Sequence, residues 1–595
     1  MAFTMSISEI IASDKTGLLA KHDSWQRVSL SKVAFVLNGA PFSSSLFSTT
    51  IGFPLIRIRD IMVGSTSTYY TGEYDEDFIV RSGDLLVGMD GDFNSAFWGA
   101  KPGLLNQRVC KIVPYQDFYS KKFLAFVLPG YLSAINSNTS SVTVKHLSSG
   151  TVNEILLPLP PRSEQTRIVA KLEELLTDLD FGVAELKAAQ KKLGQYRKSL
   201  LRAAVEGTLT AQWRQRNVIS ESGVDLLENI RAKRLKRWEA KQQEKFAEQH
   251  KVPPKDWQRK YAEPTSPDAD ELTALPESWV WTKVAHAGAV QLGRQRAPQF
   301  HTGSNMVPYL RVANVYEDRI DISDVMEMHF SEAEEQIFKL EVNDILLNEG
   351  QSLELVGRPA IYRGELPRAC FTNTLVRFRS EEGVVPEYAL AVFLNYMHSG
   401  RFRKIATITT NIAHLGASRF SEVEFPLPST VEQVEIVKQL ADQLSKLRDQ
   451  QAAVSHALKQ SAAQRANILR AAFCGSLVPQ DVGDESAEDL LARINADQEE
   501  RDAQPKARKR VARKEIATVT RSLFDVLNEA TDWLTAQEVF RRCGVTDGSE
   551  TDHIEVLYAE LRELVQSSLV AVVPVMDEKG RKVYDRLKLR EASRL

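Results

Sequence analysis

Two stretches of the chain carry apolar side chains at alternating spacings of four and three, the spacing of a helix that pairs with another helix. In the first, over about 162–206, the stripe is Leu172, Leu176, Leu179, Val183, Leu186 and Leu193. In the second, over about 430–474, it is Leu440, Leu444, Leu447, Val454 and Leu458, at matching positions. Neither stretch contains proline. Each predicts one helix of roughly 45 residues, about 65 Å long at 1.5 Å per residue. Gln190 and Gln451 interrupt the seams, and a polar seam residue fixes register. Thr430 with Gln433 predicts a capping box at the second helix start, with Ser163 the equivalent cap in the first. Glu164 and Glu432 fall in the first turn, where the helix dipole favours a carboxylate. The Glu-Gln pairs are therefore read as capping residues and not as catalytic ones. Gly207 and Gly475 follow the last apolar residues, the usual place of a left-handed cap.

Before each helix the pattern changes. Residues 23–160 and 276–428 hold short apolar runs, such as 53–58, 85–87, 309–312 and 375–378, broken by Gly, Pro and Asn. These runs predict strands joined by loops, with a helix over 386–397.

This order occurs twice because the chain is duplicated. At an offset of 268 positions, residues 139–209 align without a gap on 407–477, with 24 of 71 positions identical. His146-Leu147 meets His414-Leu415, Pro158-Leu159-Pro160 meets Pro426-Leu427-Pro428, and Glu164-Gln165 meets Glu432-Gln433. Leu201-Arg202-Ala203-Ala204 meets Leu469-Arg470-Ala471-Ala472. With gaps the match runs upstream, pairing Pro54-Leu55-Ile56-Arg57 with Pro308-Tyr309-Leu310-Arg311 and Gly83-Asp84-Leu85-Leu86 with Asn343-Asp344-Ile345-Leu346. Downstream, Glu221-Ser222 is echoed by Glu485-Ser486. If the two long helices pair antiparallel within the chain, the two β-rich heads stand at opposite ends of a rod, a geometry suited to two half-sites on a duplex.

Composition adds mainly exclusions. The chain has 595 residues, enough for several domains, and a formal charge of −3, so any positive surface is local. Its four cysteines are dispersed and form no C-x-x-C pair, which predicts neither a disulfide framework nor a zinc site and fits a cytoplasmic protein. No run approaches the roughly 18 apolar residues of a membrane span, and the N-terminus does not read as a signal peptide. Phosphate-loop and methyltransferase motifs are missing, so no cofactor, metal or catalytic residue is expected.

The doubled junctions, Leu157-Pro158-Leu159-Pro160-Pro161 to Ile168-Val169 and Phe425-Pro426-Leu427-Pro428 to Ile436-Val437, with the helix ends 200–207 and 468–475, resemble the specificity subunits of type I restriction–modification systems. The resemblance covers about residues 23–480. It implies a non-catalytic reader of a split target on double-stranded DNA, working with adenine methyltransferase subunits and ATP-dependent restriction subunits. The fold it supports is α+β: two β-rich target-recognition domains separated by two long antiparallel coiled-coil helices. The predicted layout is an N-terminal extension (1–22), a first head (23–160), a first helical region (161–212) and a linker with a basic helix (213–275). A second head (276–428), a second helical region (429–479), a charged linker (480–517) and a C-terminal domain (518–595) follow.

Base reading needs Arg, Lys, Asn or Gln at groove edges, and phosphate contacts need Arg or Lys. The candidates are Arg57, Arg59, Lys101, Asn106, Gln107, Arg108, Lys145 and His146 in the first head. In the second they are Arg294, Arg296, Arg311, Asn314, Arg358, Arg368, Asn373, His414 and Arg419. His146 and His414 are read first as packed residues that close each head, with phosphate or base contact as the rival. The basic runs 231–237 and 506–514 are solvated linker charge or DNA-backbone contacts.

The C-terminal domain lies outside the duplication. An amphipathic run over 519–527, a capping box at Thr535 and Glu538, a stripe of Ile554, Leu557, Tyr558, Leu561, Leu564 and Val565, and strands flanking the turn 577–580 resemble a winged helix. Its third helix carries Asp552, Glu555, Glu560 and Glu563 against Arg562 alone, which favours protein docking over phosphate contact. Three alternatives stay open: a partner that fuses nuclease and methyltransferase, a rod-like adaptor with protein-binding heads, and a transcription factor using the winged helix.

Overall fold

Both 4–3 stripes form unbroken helices of 44 residues, Arg162–Val205 and Thr430–Phe473. Gly207 and Gly475 end them at φ of +76° and +75°. The computed structural model describes residues 5–139, 145–268, 272–409, 412–503, 521–530, 532–545, 551–576 and 582–590. The basic run 506–514 and the turn 577–580 lie outside the described residues, as do 140–144 and 410–411, just before His146 and His414. The chain divides into two compact units, residues 1–183 with 459–595 and residues 184–458.

In the first unit the start of the first long helix packs against the end of the second. Leu172, Leu176 and Leu179 share a core with Ile468, Leu469 and Phe473, and Arg465 pairs with Asp180 at 2.5 Å. In the second unit the start of the second helix packs against the end of the first, bringing Ile436, Leu440 and Leu444 to Leu200, Leu201 and Ala204. Apolar side chains at this spacing leave water on one face of each helix, so the long helices fit a coiled coil. Leu447 is buried, while Val183, Leu186, Leu193, Val454 and Leu458 are half-buried. Gln451 is half-buried on its seam, whereas Gln190 is exposed and Ala189 takes the inward position.

Each head is closed by pairing its first strand with its last. Gln26–Ser29 runs antiparallel to Leu156–Leu159, and Val280–Lys283 to Glu424–Leu427. The repeated Pro-Leu-Pro run is therefore the closing strand. A four-stranded antiparallel sheet follows in the same order in both heads. In the first it is Ala34–Asn38, Val109–Pro114, Leu85–Gly88, Ser95–Phe97; in the second it is Gly288–Leu292, Leu375–Ser380, Ile345–Asn348, Pro359–Ile361. Leu85–Gly88 and Ile345–Asn348 are buried along their whole length, which explains why 85–87 and 345–347 are apolar without alternation. One helix backs each sheet, Lys121–Ser137 and Pro386–Ser399. Among the described residues the heads differ in their further sheets: the first adds one of five strands, the second two of three strands and one of two.

The segments after the long helices also fold. Gly223–Glu248 and Ala487–Ala503 are helices. Leu226, Leu227 and Ile230 enter the core of the second unit, and Leu490 and Ile494 that of the first. The C-terminal segment forms helices Leu523–Glu529, Ala536–Arg542 and Thr551–Gln566. They pack on a three-stranded sheet ordered Leu534–Thr535, Lys582–Leu589, Val570–Met576. The side chains of Asp552, Ile554 and Glu555 lie outside the described residues. Among the described residues no helix is long and apolar enough to cross a membrane.

Candidate nucleic-acid interface

Each head meets its long helix at a buried Glu-Gln pair, all four side chains being inaccessible to solvent. The Gln165 amide donates to the carbonyls of Phe118 and Pro160, both at 3.0 Å, and accepts the Ser120 N–H at 2.7 Å. Gln433 repeats this with Gly383 at 3.1 Å, Pro428 at 3.0 Å and the Val385 N–H at 2.7 Å. Ser120 and Val385 are the N-caps of the helices that back the sheets. Each glutamine thus ties the start of its long helix to the start of a head helix.

The capping box expected at Thr430 is not formed. Ser429 caps instead, its hydroxyl accepting the Glu432 N–H at 3.3 Å, and Thr430 donates to the Gly383 carbonyl at 2.9 Å. Ser163 donates to the Asp484 carboxylate. The reason is that a buried amide satisfies three backbone groups here, whereas a cap would satisfy one near solvent.

The glutamates bind the heads' entry tryptophans. Glu164 accepts the Trp25 indole at 2.9 Å and the Gln480 amide at 2.5 Å. Glu432 accepts the Trp279 indole at 2.9 Å, the Thr210 hydroxyl at 2.7 Å and the Arg214 guanidinium. Burial pushes the Glu164 carboxyl above the usual range, and its hydrogen bonds offset this only in part. These junctions are architectural, which leaves the heads' loops to meet a ligand.

Candidates in the first head gather at one end of the sheet. The strand Leu85–Gly88 runs out into Asp90, whose carboxylate binds His146 Nδ1 at 2.6 Å and lies 3.5 Å from Arg108. Asn106 and Gln107 precede Val109, the partner of Gly88, so they stand at the same end. The Asn106 side chain accepts the Gln107 N–H at 2.8 Å. Lys145 reaches the Asn136 carbonyl at 2.6 Å. Arg57, the N-cap, and Arg59 of the short helix Ile58–Ile61 are exposed, and the helix packs over Gly88: a Cβ built there would stand 3.0 Å from Ile58. Arg59 donates to Thr68 at 3.2 Å. Lys101 does not join the group. Its carbonyl accepts the Trp98 indole at 2.9 Å, beyond Phe97 and so toward the Leu85 end of the sheet.

The second head repeats the arrangement with other residues. Glu349, next after Ile345–Asn348, binds His414 Nδ1 at 3.0 Å, and Arg419 donates to the His414 carbonyl at 2.8 Å. Arg358 and Asn373 flank the same strand ends. Burial lowers the pKa of the Arg358 guanidinium. Arg296 is exposed, 5.6 Å from the Tyr309 ring centroid. Other candidates are engaged in holding the head together. Arg294 is buried beneath Phe300, with its guanidinium 3.9 Å from that ring, and pairs with Glu334 at 2.9 Å. Asn314 is buried and donates to the carbonyls of Asp321 at 2.9 Å and Asp324 at 2.8 Å. Arg311 pairs with Asp324 at 2.5 Å. Arg368 grips Glu335 through two nitrogens, at 2.6 and 2.5 Å, and is away from these strand ends.

The two histidine–carboxylate pairs were half legible. The histidines align in the repeat, but their partners do not. Backbone pairing places Asp90 opposite His146 and Gly350 opposite His414. The second carboxylate therefore comes from one position earlier, on a side chain one methylene longer. The basic run 231–237 faces protein acids: Arg231 pairs with Glu263 and Lys233 with Glu382, at 2.8 and 2.9 Å, and Arg237 pairs with Glu381.

Comparison with known proteins places this duplicated architecture. A family model described as the type I restriction modification DNA specificity domain matches residues 22–185. The type I restriction enzyme EcoBI specificity subunit of Escherichia coli is 33% identical over 512 residues, covering 84% of this chain and 97% of that one. The chain belongs to the type I restriction enzyme specificity subunits. Such a subunit is non-catalytic and belongs to a restriction–modification enzyme. The EcoKI specificity subunit of E. coli K12 is 23% identical over 377 residues, 62% of this chain and 69% of that one. A chain from a solved structure of a type I system, described in terms of complex assembly and conformational transition, superposes with a TM-score of 0.51 at 16% identity. It covers 76% of this chain and 98% of that one, which establishes a common fold of mixed helices and sheets.

Proposed function

We propose that this specificity subunit reads a two-part target on duplex DNA, one half with each head, and carries methyltransferase and restriction subunits to it. One observation carries the reading. The heads share a sheet order and a histidine–carboxylate pair at the same strand end, yet the polar residues around that pair differ. Shared scaffolding with different Arg, Asn and Gln side chains suits two different base sequences, because base edges are read by such groups and phosphates position them. The exposed Arg57, Arg59 and Arg296, with Arg358 and Arg419, are the contacts proposed to face DNA. The C-terminal segment is proposed as a winged-helix-like module for docking protein, since Glu560 and Glu563 on its third helix would repel phosphate.

The test is sequencing of modified bases in DNA from cells that express this chain with its methyltransferase subunit. A motif of two short parts separated by unread bases is expected. A single uninterrupted motif, or none, rejects the proposal.

A further inference from the structure

The second head carries a small hairpin that hydrophobic patterning does not reveal. Strands Val315–Tyr316 and Arg319–Ile320 pair about Glu317 and Asp318. Asp318 turns the chain at φ +48° and donates its N–H to the Pro359 carbonyl at 3.0 Å. The Tyr316 ring is 39% exposed. Two guanidinium groups lie over it, Arg319 at 4.6 Å and Arg358 at 4.9 Å from the ring centroid. Cations at such distances are attracted to the ring and limit its motion.

Behind the ring, Glu317 is clamped from two helices. Arg197 of the first long helix reaches it at 2.8 Å and His398 of Pro386–Ser399 at 2.9 Å. Burial raises the Glu317 carboxyl, but these partners outweigh it and hold the group below the usual carboxylate range. Among the described residues the clamp belongs to the second head alone. In the repeat Arg197 corresponds to Arg465, and Arg465 pairs with Asp180 of the other long helix at 2.5 Å. There it borders a cavity of about 560 Å³ between Phe126 and Leu469 instead of touching a recognition hairpin.

We propose that Tyr316, with Arg319 and Arg358, is a specificity-determining contact to bases of the half-site read by the second head, and that Glu317 is its positioning residue. The inference rests on the DNA-reading function proposed above. An exposed ring gives an apolar face for a base edge such as a thymine methyl, and the guanidinium groups give donors for acceptors such as guanine O6 and N7. Holding such contacts in place before binding lowers the ordering cost of recognition, and the ion pairs to Glu317 supply that order. The hairpin stands next to Arg358, at the strand end where Glu349 and His414 meet.

The experiment uses the full chain co-expressed with its methyltransferase subunit. Modified-base sequencing is combined with competition binding of the purified complex to DNA carrying single-base changes. Tyr316→Ala and Glu317→Gln are expected to lower discrimination about tenfold or more at one or two positions of one half-site, leaving the other half-site unchanged. Arg197→Gln should act in the same direction and Arg465→Gln in neither half, while Tyr316→Phe should keep the motif. If Tyr316→Ala and Glu317→Gln read both halves as the unaltered protein does, or weaken binding equally on all sequences, the inference is wrong. A lowered melting temperature with an unchanged motif would mean a purely structural hairpin and likewise overturn it. Failure of the unaltered protein to give any two-part motif would instead reject the function beneath it.

Discussion

Gln165 and Gln433 show how much one buried side chain can hold. Replacing Gln165 by Ala leaves the carbonyls of Phe118 and Pro160 and the N–H of Ser120 without their side-chain partner. Each such loss costs about 1–3 kcal/mol when the group stays dry. With some relaxation, Gln165→Ala is expected to destabilise the first unit by about 2–4 kcal/mol in denaturant unfolding. Gln165→Glu should do at least as much harm, because it sets an oxygen against two carbonyls. A change below half a kcal/mol would mean that these backbone groups reach water. His286 supports a prediction about pH. It is fully buried, with Nδ1 2.9 Å from the Thr282 hydroxyl. Burial first, then Arg231 and Arg234, depress its pKa to about 4, against 6.5 for the unperturbed group. The unfolded chain therefore takes up a proton in a window where the folded chain does not. This contribution is fully present above about pH 6.5 and is lost as pH falls toward 4. The melting temperature of the second unit should fall over that window more steeply in the native protein than in His286→Gln. Parallel curves would show that His286 is not the group responsible.

Among the elements, the ends of the long helices are the most tightly specified. Gly207 and Gly475 sit in the left-handed region, and a Cβ on either would stand 2.6 Å from Pro276 or His22. Both the strain and the overlap oppose any larger residue. Gly207→Ala and Gly475→Ala are each expected to cost about 2–3 kcal/mol, read as a lowered unfolding midpoint in urea. If either were neutral, its helix end would be free to unwind. The seam was legible because a helix repeats its face every few residues, so Leu172 and Leu176 announce a buried stripe without knowledge of their partner. The caps were not. Which hydroxyl caps depends on where the preceding strand releases the chain, and Glu424–Leu427 releases it so that Ser429 comes first.

For the whole molecule, the decisive property is that each head is closed on itself by its own first and last strands. Replacing residues 23–160 by the matching head of a relative is therefore expected to change one half of the modified motif and leave the other unchanged. The donor head should retain the tryptophan at Trp25, or Glu164 is left buried without its indole partner. A swap that alters both halves would show that the heads do not read independently.

The duplication, the two long helices, their glycine ends and the alternation of β-rich and helical segments can be read along the chain without its partners in space. These follow from self-similarity along the chain, from local periodicity or from a single residue's backbone freedom. Which polar residues remain for a ligand is set by how distant segments fold together. Arg294 and Arg358 look alike along the chain, yet one is buried with Glu334 and the other lies against an exposed tyrosine ring. Asp90 and Glu349 hold equivalent histidines from positions that do not align, 56 and 65 residues away along the chain. The physical reason is the same in each case. A side chain's electrostatic partner is chosen by strand register and packing between distant segments, and no periodicity in the sequence encodes that choice.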